Sequence, residues 1–253
     1  MEYPKLEKEY PVHVYDTGPD GHLSLHALFN YFQDIASDHA ALLGYGRDEL
    51  LKQNHFWVLS RIYAEITALP MWDEKIKLAS WPRGTDKLFA LRDFEMKSAD
   101  GQMMARATSS WLIIDRDSKR IQRPDNNLTR LNFAVPGEPG ILRNAEKIEP
   151  VVTGGQSSPP FTVRISDLDV NLHTNNTSYL NWVTDTYDLD FMLRNAPLSV
   201  EINYLSESRF NDTVVILTSG NGSDPCLFSH SVIRQADSTE LCRVRIFWKR
   251  ILS

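Results

Sequence analysis

Residues Asp167-Leu-Asp-Val-Asn-Leu-His-Thr-Asn-Asn176 form a dense polar run, followed at once by the apolar Tyr179, Leu180, Trp182 and Val183. This change of texture reads as a loop feeding into a buried helix. Asp169, Asn171 and His173 alternate, so in an extended segment their side chains share one side and converge on one point. Asn175 and Asn176 stand where the first backbone N–H groups of a helix need capping, and the helix is expected to start at one of them. An acid, an amide, an imidazole and a helix N-terminus this close together are the parts needed to polarise a carbonyl and activate water. Taken alone, Asp-x-Asn-x-His also describes a turn with asparagine caps.

Outward from this run, the chain shows the same order of elements twice. Residues 22–43 carry Leu25, Leu28, Phe29, Phe32, Ile35, Ala36, Ala40 and Leu43 at helical spacing, and Gly44 and Gly46 stop that helix. Strand character follows at Phe56–Thr67, Lys75–Trp81, Leu88–Lys97 and Met103–Asp115, with Ala99-Asp-Gly-Gln as a hairpin turn. Between Asn132 and Pro160 prolines and glycines mark a linker, partly draped over a surface. After the second helix, strands are expected at Leu198–Leu205, Thr213–Ser219, Cys226–Gln235 and Leu241–Ile251. In the last of these Cys242, Val244, Ile246 and Trp248 alternate with Arg243, Arg245 and Lys249, which predicts one buried and one basic face. The repeated order is an internal duplication. Tyr31-Phe32-Gln33 lines up with Tyr179-Leu180-Asn181, and Trp72-Asp73-Glu74 with Phe210-Asn211-Asp212. In this alignment Gly21, Leu23 and Leu25 occupy the places of Asp169, Asn171 and His173, and Leu69 that of Glu207, so only the second half is equipped to react.

The chain of 253 residues can bury a sizeable core, and its apolar share is that of a globular protein. A net charge of −6 without a long Lys/Arg cluster argues against a nucleic-acid binder that works by neutralising phosphates. No apolar run reaches the roughly 18 residues of a membrane span, and the N-terminus has neither a signal peptide's apolar core nor a transit peptide's acid-poor character. A cytoplasmic bacterial protein is the expectation. Cys226 and Cys242 are the only cysteines and lack metal-ligand spacing, so both are expected to be reduced and buried.

The stretch Ser166-Asp-Leu-Asp-Val-Asn-Leu-His-Thr-Asn-Asn-Thr-Ser-Tyr-Leu-Asn-Trp-Val183 resembles the active-site segment of the acyl-acyl-carrier-protein thioesterases. Those enzymes release fatty acids from their carrier during fatty acid biosynthesis. The resemblance continues through Phe32-Gln-Asp-Ile-Ala-Ser-Asp-His, Phe56-Trp-Val-Leu-Ser-Arg, Trp72-Asp, Leu91-Arg-Asp-Phe and Ala107-Thr-Ser-Ser-Trp, and so covers most of the chain. It implies an α+β tandem double hot-dog, each half a long helix wrapped by a curved antiparallel sheet. Residues 1–135 would be a non-catalytic N-terminal domain that binds the acyl chain, 136–160 a linker and 161–253 the catalytic domain. The implied partners are acyl carrier protein and a fatty acyl thioester, with a homodimer as the oligomeric expectation. Neither cofactor nor metal is called for. An acyl-coenzyme A thioesterase of the same fold and a non-catalytic acyl-binding hot-dog protein are the alternatives. A dehydratase is disfavoured, because no hot-dog dehydratase histidine motif precedes either helix.

By the same resemblance Glu207, in Tyr204-Leu-Ser-Glu-Ser-Arg-Phe, is the general base for water, and Asn171 orients the water or the carbonyl. His173 donates to the thioester or shuttles a proton. Asp169 either orients these groups or attacks directly to give an anhydride. Backbone N–H groups near Asn175 and Asn176 are expected to serve the oxyanion. Plant members often have cysteine after the glutamate; here it is Ser208, which removes a cysteine nucleophile at that place. Phe32 and Trp57 are candidate acyl contacts, although core packing is the commoner use of such residues. Asp34, Asp38 and His39 do not form a second site, since neighbours on a helix face apart, and His39 is read as structural. Acyl carrier proteins are acidic, so docking needs a local basic cluster. Two sets qualify: Arg116, Lys119, Arg120 and Arg123, and Arg243, Arg245, Lys249 and Arg250.

Overall fold

A computed structural model describes residues 5–124, 140–141, 143–151, 155–221 and 224–251. The chain divides into two compact units, Met1–Ala145 and Glu146–Ser253.

In the first unit the helix α1 (Leu25–Leu42) begins where Ser24 Oγ accepts the N–H of Ala27 at 3.2 Å. It turns Leu25, Leu28, Phe29, Phe32, Ile35 and Ala36 inward. Gly44 ends it with φ +76°, a left-handed conformation that glycine adopts without steric penalty. A short helix α2 (Arg47–Lys52) follows. The sheet consists of β1 (Leu6–Pro11), β2 (His55–Ile66), β3 (Lys75–Asp86), β4 (Phe89–Ser98) and β5 (Met103–Asp115) in the order β1-β3-β4-β5-β2, with β6 (Ile121–Gln122) paired to β5. All these pairings are antiparallel. Helix α1 lies against β3 and β1, and Phe32 packs on Phe29 and on Phe94 of β4. This is the hot-dog arrangement, one helix against a single antiparallel sheet.

The second unit repeats it. Helix α3 (Asn176–Thr184) is half the length of α1 and is followed by α4 (Leu189–Arg194). The break has local causes: Thr184 and Thr186 hydroxyls take the carbonyls of Asn181 and Val183, and Asp188 caps α4 by accepting from Phe191 N–H. The sheet order is β9 (Asn195–Tyr204), β12 (Thr239–Arg250), β11 (Asp224–Arg234), β10 (Thr213–Asn221) and β7 (Gln156–Ser157), with β8 (Phe161–Thr162) also on β10. Helix α3 packs on β11 and β12.

Residues 140–151 are held by side chains, whereas Gln156 and Ser157 further on pair with β10 as a strand. Much of the Pro/Gly-rich segment expected as a linker lies outside the described residues. The rest is tied down. In the first unit Arg83 reaches the Ile141 carbonyl and Asn144, while buried Asp93 accepts the Gly140 N–H. In the second unit Glu201 accepts the Glu146 N–H at 2.6 Å and Asn203 accepts that of Ile148 at 2.7 Å. Asn203 also donates to the Glu146 carbonyl, Arg243 to that of Ile148, and Ser231 accepts the Val151 N–H. The buried amide and carboxylate thus supply the partners that a neighbouring strand would otherwise give.

The alternation in β12 gives the one buried and one cation-bearing face expected of it. Cys242, Val244, Ile246 and Trp248 are buried as expected. The opposite face is not a row of open cations, however, because Arg243 is paired with Glu240 and Arg245 with buried Glu201. Burying Glu201 and the Ile148 carbonyl calls for these cations as partners.

Candidate functional site

The polar loop is not an extended strand, so Asp169, Asn171 and His173 do not share one side by alternation. Leu168 and Thr174 bridge antiparallel, and the five residues between them form a tight reversal. Asp169 N–H donates to the His173 carbonyl at 2.8 Å and Leu172 N–H to the Asp169 carbonyl at 3.1 Å. The Asp169 carboxylate accepts from the N–H groups of Asn171 and His173, at 2.8 and 3.1 Å, and from the Asn171 side-chain amide at 3.2 Å. A carboxylate carrying three such bonds organises the loop. Leu172 pays for the reversal with φ +62°, in the left-handed region that leucine seldom occupies.

His173 is joined to the segment after β9 by a backbone bridge to Arg209. This brings its Nε2 to 3.5 Å from Oε2 of Glu207, with the imidazole and the carboxylate both partly open to solvent. Three buried hydroxyls hold the two segments together. The Thr174 N–H and hydroxyl both donate to the Ser208 carbonyl at 3.1 Å, and Thr174 Oγ1 lies 2.7 Å from Ser208 Oγ. Tyr179 of α3 accepts the Ser208 N–H at 3.0 Å, with its hydroxyl 2.9 Å from Ser208 Oγ. Burial raises the Tyr179 phenol to about 12, so it stays neutral and can both accept and donate.

The helix N-terminus is already partly occupied. Asn175 accepts the Thr177 N–H through its side chain at 3.1 Å, and its carbonyl accepts from Ser178. Two of the N–H groups expected to face an oxyanion are therefore spent on the cap. Asn176 is half-buried, and its carbonyl accepts from Tyr204. Of the other candidates, Phe32 is buried in the core of the first unit, while Trp57 is half-buried, donates to the Tyr45 carbonyl and meets Trp111 edge-on. His39 is fully buried with its Nδ1 3.1 Å from Arg92. Asp34 accepts from Tyr10, and Asp38 pairs with Lys8.

The duplicated loop of the first unit corrects the sequence alignment by three residues. Gly18 N–H donates to the His22 carbonyl as Asp169 does to His173, Ser24 N–H to Asp16 as Asn175 does to Asp167, and Leu23 N–H to Pro70 as Thr174 does to Ser208. Tyr31 donates to Asp16 as Trp182 does to Asp167. The counterparts of Asp169, Asn171 and His173 are therefore Gly18, Asp20 and His22, and not Gly21, Leu23 and Leu25. Tyr31 matches Trp182 rather than Tyr179. Leu69 keeps its place opposite Glu207. The first unit thus retains an imidazole but lacks both the loop-building Asp169 and the glutamate. The two loops share Asp16 with Asp167 and His22 with His173, but their hydrogen bonds rather than any periodic pattern reveal the register.

Residues 4–131 match the acyl-ACP thioesterase N-terminal domain, and residues 153–250 match the acyl-ACP thioesterase C-terminal domain. The chain belongs to the acyl-ACP thioesterase family. Over 96% of its length it is 24% identical to oleoyl-acyl carrier protein thioesterase 1 and 25% identical to palmitoyl-acyl carrier protein thioesterase, both chloroplastic proteins of Arabidopsis thaliana. It spans 76% of the first and 63% of the second. Among solved structures, the 12:0-ACP thioesterase of Umbellularia californica superposes with a TM-score of 0.87 at 22% identity, over 99% of each chain. An acyl-ACP thioesterase of Bacteroides thetaiotaomicron gives 0.86 at 23%, over 97% of this chain and 98% of that one. The shared fold is the tandem double hot-dog. In this family member, the hydrogen-bonded junction of Ser208, Thr174 and Tyr179 is not legible in the sequence, where Ser208 stands out only as a replacement for cysteine and Tyr179 only as a buried helix position. Ordinary hydroxyls separated by up to 34 positions leave no local pattern to find. Among the described residues no group of His, Cys, Asp and Glu could hold a metal, and no helix is long and apolar enough to cross a membrane.

Proposed function

We propose that this chain hydrolyses fatty acyl thioesters carried on acyl carrier protein, giving free fatty acid and the carrier thiol. The observation that carries the reading is the approach of His173 Nε2 to Glu207 Oε2 at 3.5 Å, in a chain that matches the acyl-ACP thioesterase models in both halves. Glu207, open to solvent, takes a proton from water as its oxygen attacks the thioester carbon. His173 orients the carboxylate and donates to the carbonyl oxygen or to the departing sulfur. Asn171 uses one amide hydrogen on Asp169 and presents the other to the water or the carbonyl. When the tetrahedral intermediate collapses, the C–S bond breaks and the proton held by the His173–Glu207 pair passes to the thiolate.

Asp169 acts in this scheme by holding Asn171 and His173, since its carboxylate is already saturated with loop hydrogen bonds; attack through an anhydride is the weaker role. Asn175 and Asn176 seat the helix beside the reacting group. The first unit, without a counterpart of Glu207, holds the acyl chain, with Trp57 better exposed for contact than Phe32. Residues 1–135, 136–160 and 161–253 then serve as acyl-binding domain, linker and catalytic domain. A cytoplasmic location and a homodimer belong to the same proposal. Sedimentation at twice the chain's mass would support the dimer.

The test compares hydrolysis of one acyl group on carrier protein, on coenzyme A and on N-acetylcysteamine. A kcat/KM at least about tenfold higher on the carrier is expected, as binding remote from the reacting centre is used. Equal rates on coenzyme A would favour the coenzyme A alternative, and binding without turnover would favour an acyl-binding protein.

A further inference from the structure

The two loops before α1 and α3 present homologous surfaces, and the shared hydrogen bonds align them residue by residue. Val14 and Trp72 of the first unit correspond to Ile165 and Phe210 of the second, and all four are exposed. Val170 and Leu172, which flank Asn171, are among the most exposed apolar residues in the chain, at 84% and 72%. The first unit has Pro19 and Gly21 at those places. A leucine is kept at φ +62° where the duplicate has glycine at +78°, so the second loop retains an apolar side chain at a conformational cost.

Charge separates the surfaces more sharply. Arg164 and Arg209 are exposed, and among the described residues neither guanidinium enters an ion pair. Their counterparts are His13 and Met71. Both arginines sit on the ring of hydrogen-bonded loops around the reactive pair. Val163, next to Arg164, exchanges hydrogen bonds with Asn211 and Asp212, and Arg209 bridges His173. The acids nearby are engaged elsewhere: Asp167 and Asp169 hold loop N–H groups, and Asp212 pairs with Arg234.

We propose that the rim of Arg164, Ile165, Val170, Leu172, Arg209 and Phe210 is the docking surface for an acidic carrier protein with an apolar contact face. This rests on the thioesterase reading. A chain of net charge −6 repels an acidic partner at long range, so capture depends on a local positive spot. The rim offers two guanidinium groups without an ion-pair partner among the described residues, set around an apolar centre, the pattern of a transient protein interface. Arg243 and Arg245 are withdrawn by their pairing with Glu240 and Glu201.

The experiment measures KM and its salt dependence on acyl-carrier substrate for R164E/R209E, with V170S/F210S as a second, uncharged variant. Reversal of Arg116 and Arg120, and H13E/M71E at the duplicate positions, are the comparisons. The R164E/R209E change should raise KM on the carrier substrate about tenfold or more and flatten its salt dependence, while kcat/KM for the N-acetylcysteamine thioester moves less than about twofold. V170S/F210S should raise the same KM without changing the salt dependence, and H13E/M71E should do neither. An unchanged carrier KM in both rim variants, or the same effect from reversing Arg116 and Arg120 alone, overturns the proposal. So does a changed oligomeric state with unaltered KM, which would give the rim to a second copy of the chain. If the wild type hydrolyses no acyl thioester, the thioesterase reading fails by itself. Direct titration with acyl carrier protein then still decides whether the rim binds it.

Discussion

The Tyr179 hydroxyl accepts the backbone N–H of Ser208 at 3.0 Å, joining helix α3 to the segment that carries Glu207. The carboxylate is thereby seated by the helix whose N-terminal loop carries His173. Y179F should leave the Ser208 N–H without its acceptor in a buried place, at a cost of about 1–3 kcal/mol. Turnover should fall about tenfold with KM little changed, because Glu207 loses its seat rather than its chemistry. Thermal denaturation alongside steady-state kinetics checks this. A loss of stability with full turnover would show that the hydroxyl does not position the base.

Replacing Glu207 by Gln keeps its shape and removes its basicity, so turnover should fall at least about a hundredfold with the fold intact. D169N should fall comparably, since an amide cannot accept all three of the loop's hydrogen bonds, and H173A should be similarly damaging. Turnover within a few-fold of wild type in both carboxylate variants would remove carboxylates from the mechanism. C226S and C242S should leave the chemistry alone, apart from packing losses at buried Cys242.

His230 provides a pH-dependent term. It is buried between Tyr187, whose hydroxyl lies 2.8 Å from Nε2, and Thr218, 2.9 Å from Nδ1. Burial lowers it from an ordinary 6.5 to about 3. Between those values the unfolded chain holds a proton that the folded chain does not. This contribution is complete above pH 6.5 and is lost as the pH falls toward 3, by about 1.4 kcal/mol per pH unit. Denaturant titrations across that range should show a slope about one proton shallower in H230Q. An unchanged slope would mean that other groups carry the acid sensitivity.

Arg243 should behave as a structural residue. R243E sets two carboxylates together at Glu240 and abandons the Ile148 carbonyl, so a loss on the order of 3 kcal/mol is expected. Chemical denaturation would measure it. A stable variant with impaired carrier binding would return this residue to the docking candidates.

Ala36 and Ala107 are both buried in the first unit. A36L or A107L should cost about 1–3 kcal/mol by overpacking. If this unit holds the acyl chain, the released fatty acids should shorten more than turnover on a short substrate falls. Gas chromatography of the products from a host lacking competing thioesterases reads this directly. An unchanged profile across several such variants would place the chain elsewhere.

The sequence by itself determined the repeated elements. The helical spacing from Leu25 to Leu43, the alternation in β12 and the asparagines ahead of α3 are set by interactions within a few residues, so they are legible without neighbours. The polar loop and Glu207 were also visible, Glu207 through family resemblance alone. Only the tertiary structure decided what these residues do to one another. It turned Asp169 onto its own loop, moved the counterpart of His173 from Leu25 to His22, and paired Arg243 and Arg245 with carboxylates. It also built the Thr174–Ser208–Tyr179 junction that sets His173 beside Glu207. Each depends on long-range hydrogen bonds and on burial, which reward partners distant along the chain and leave no periodic trace in it.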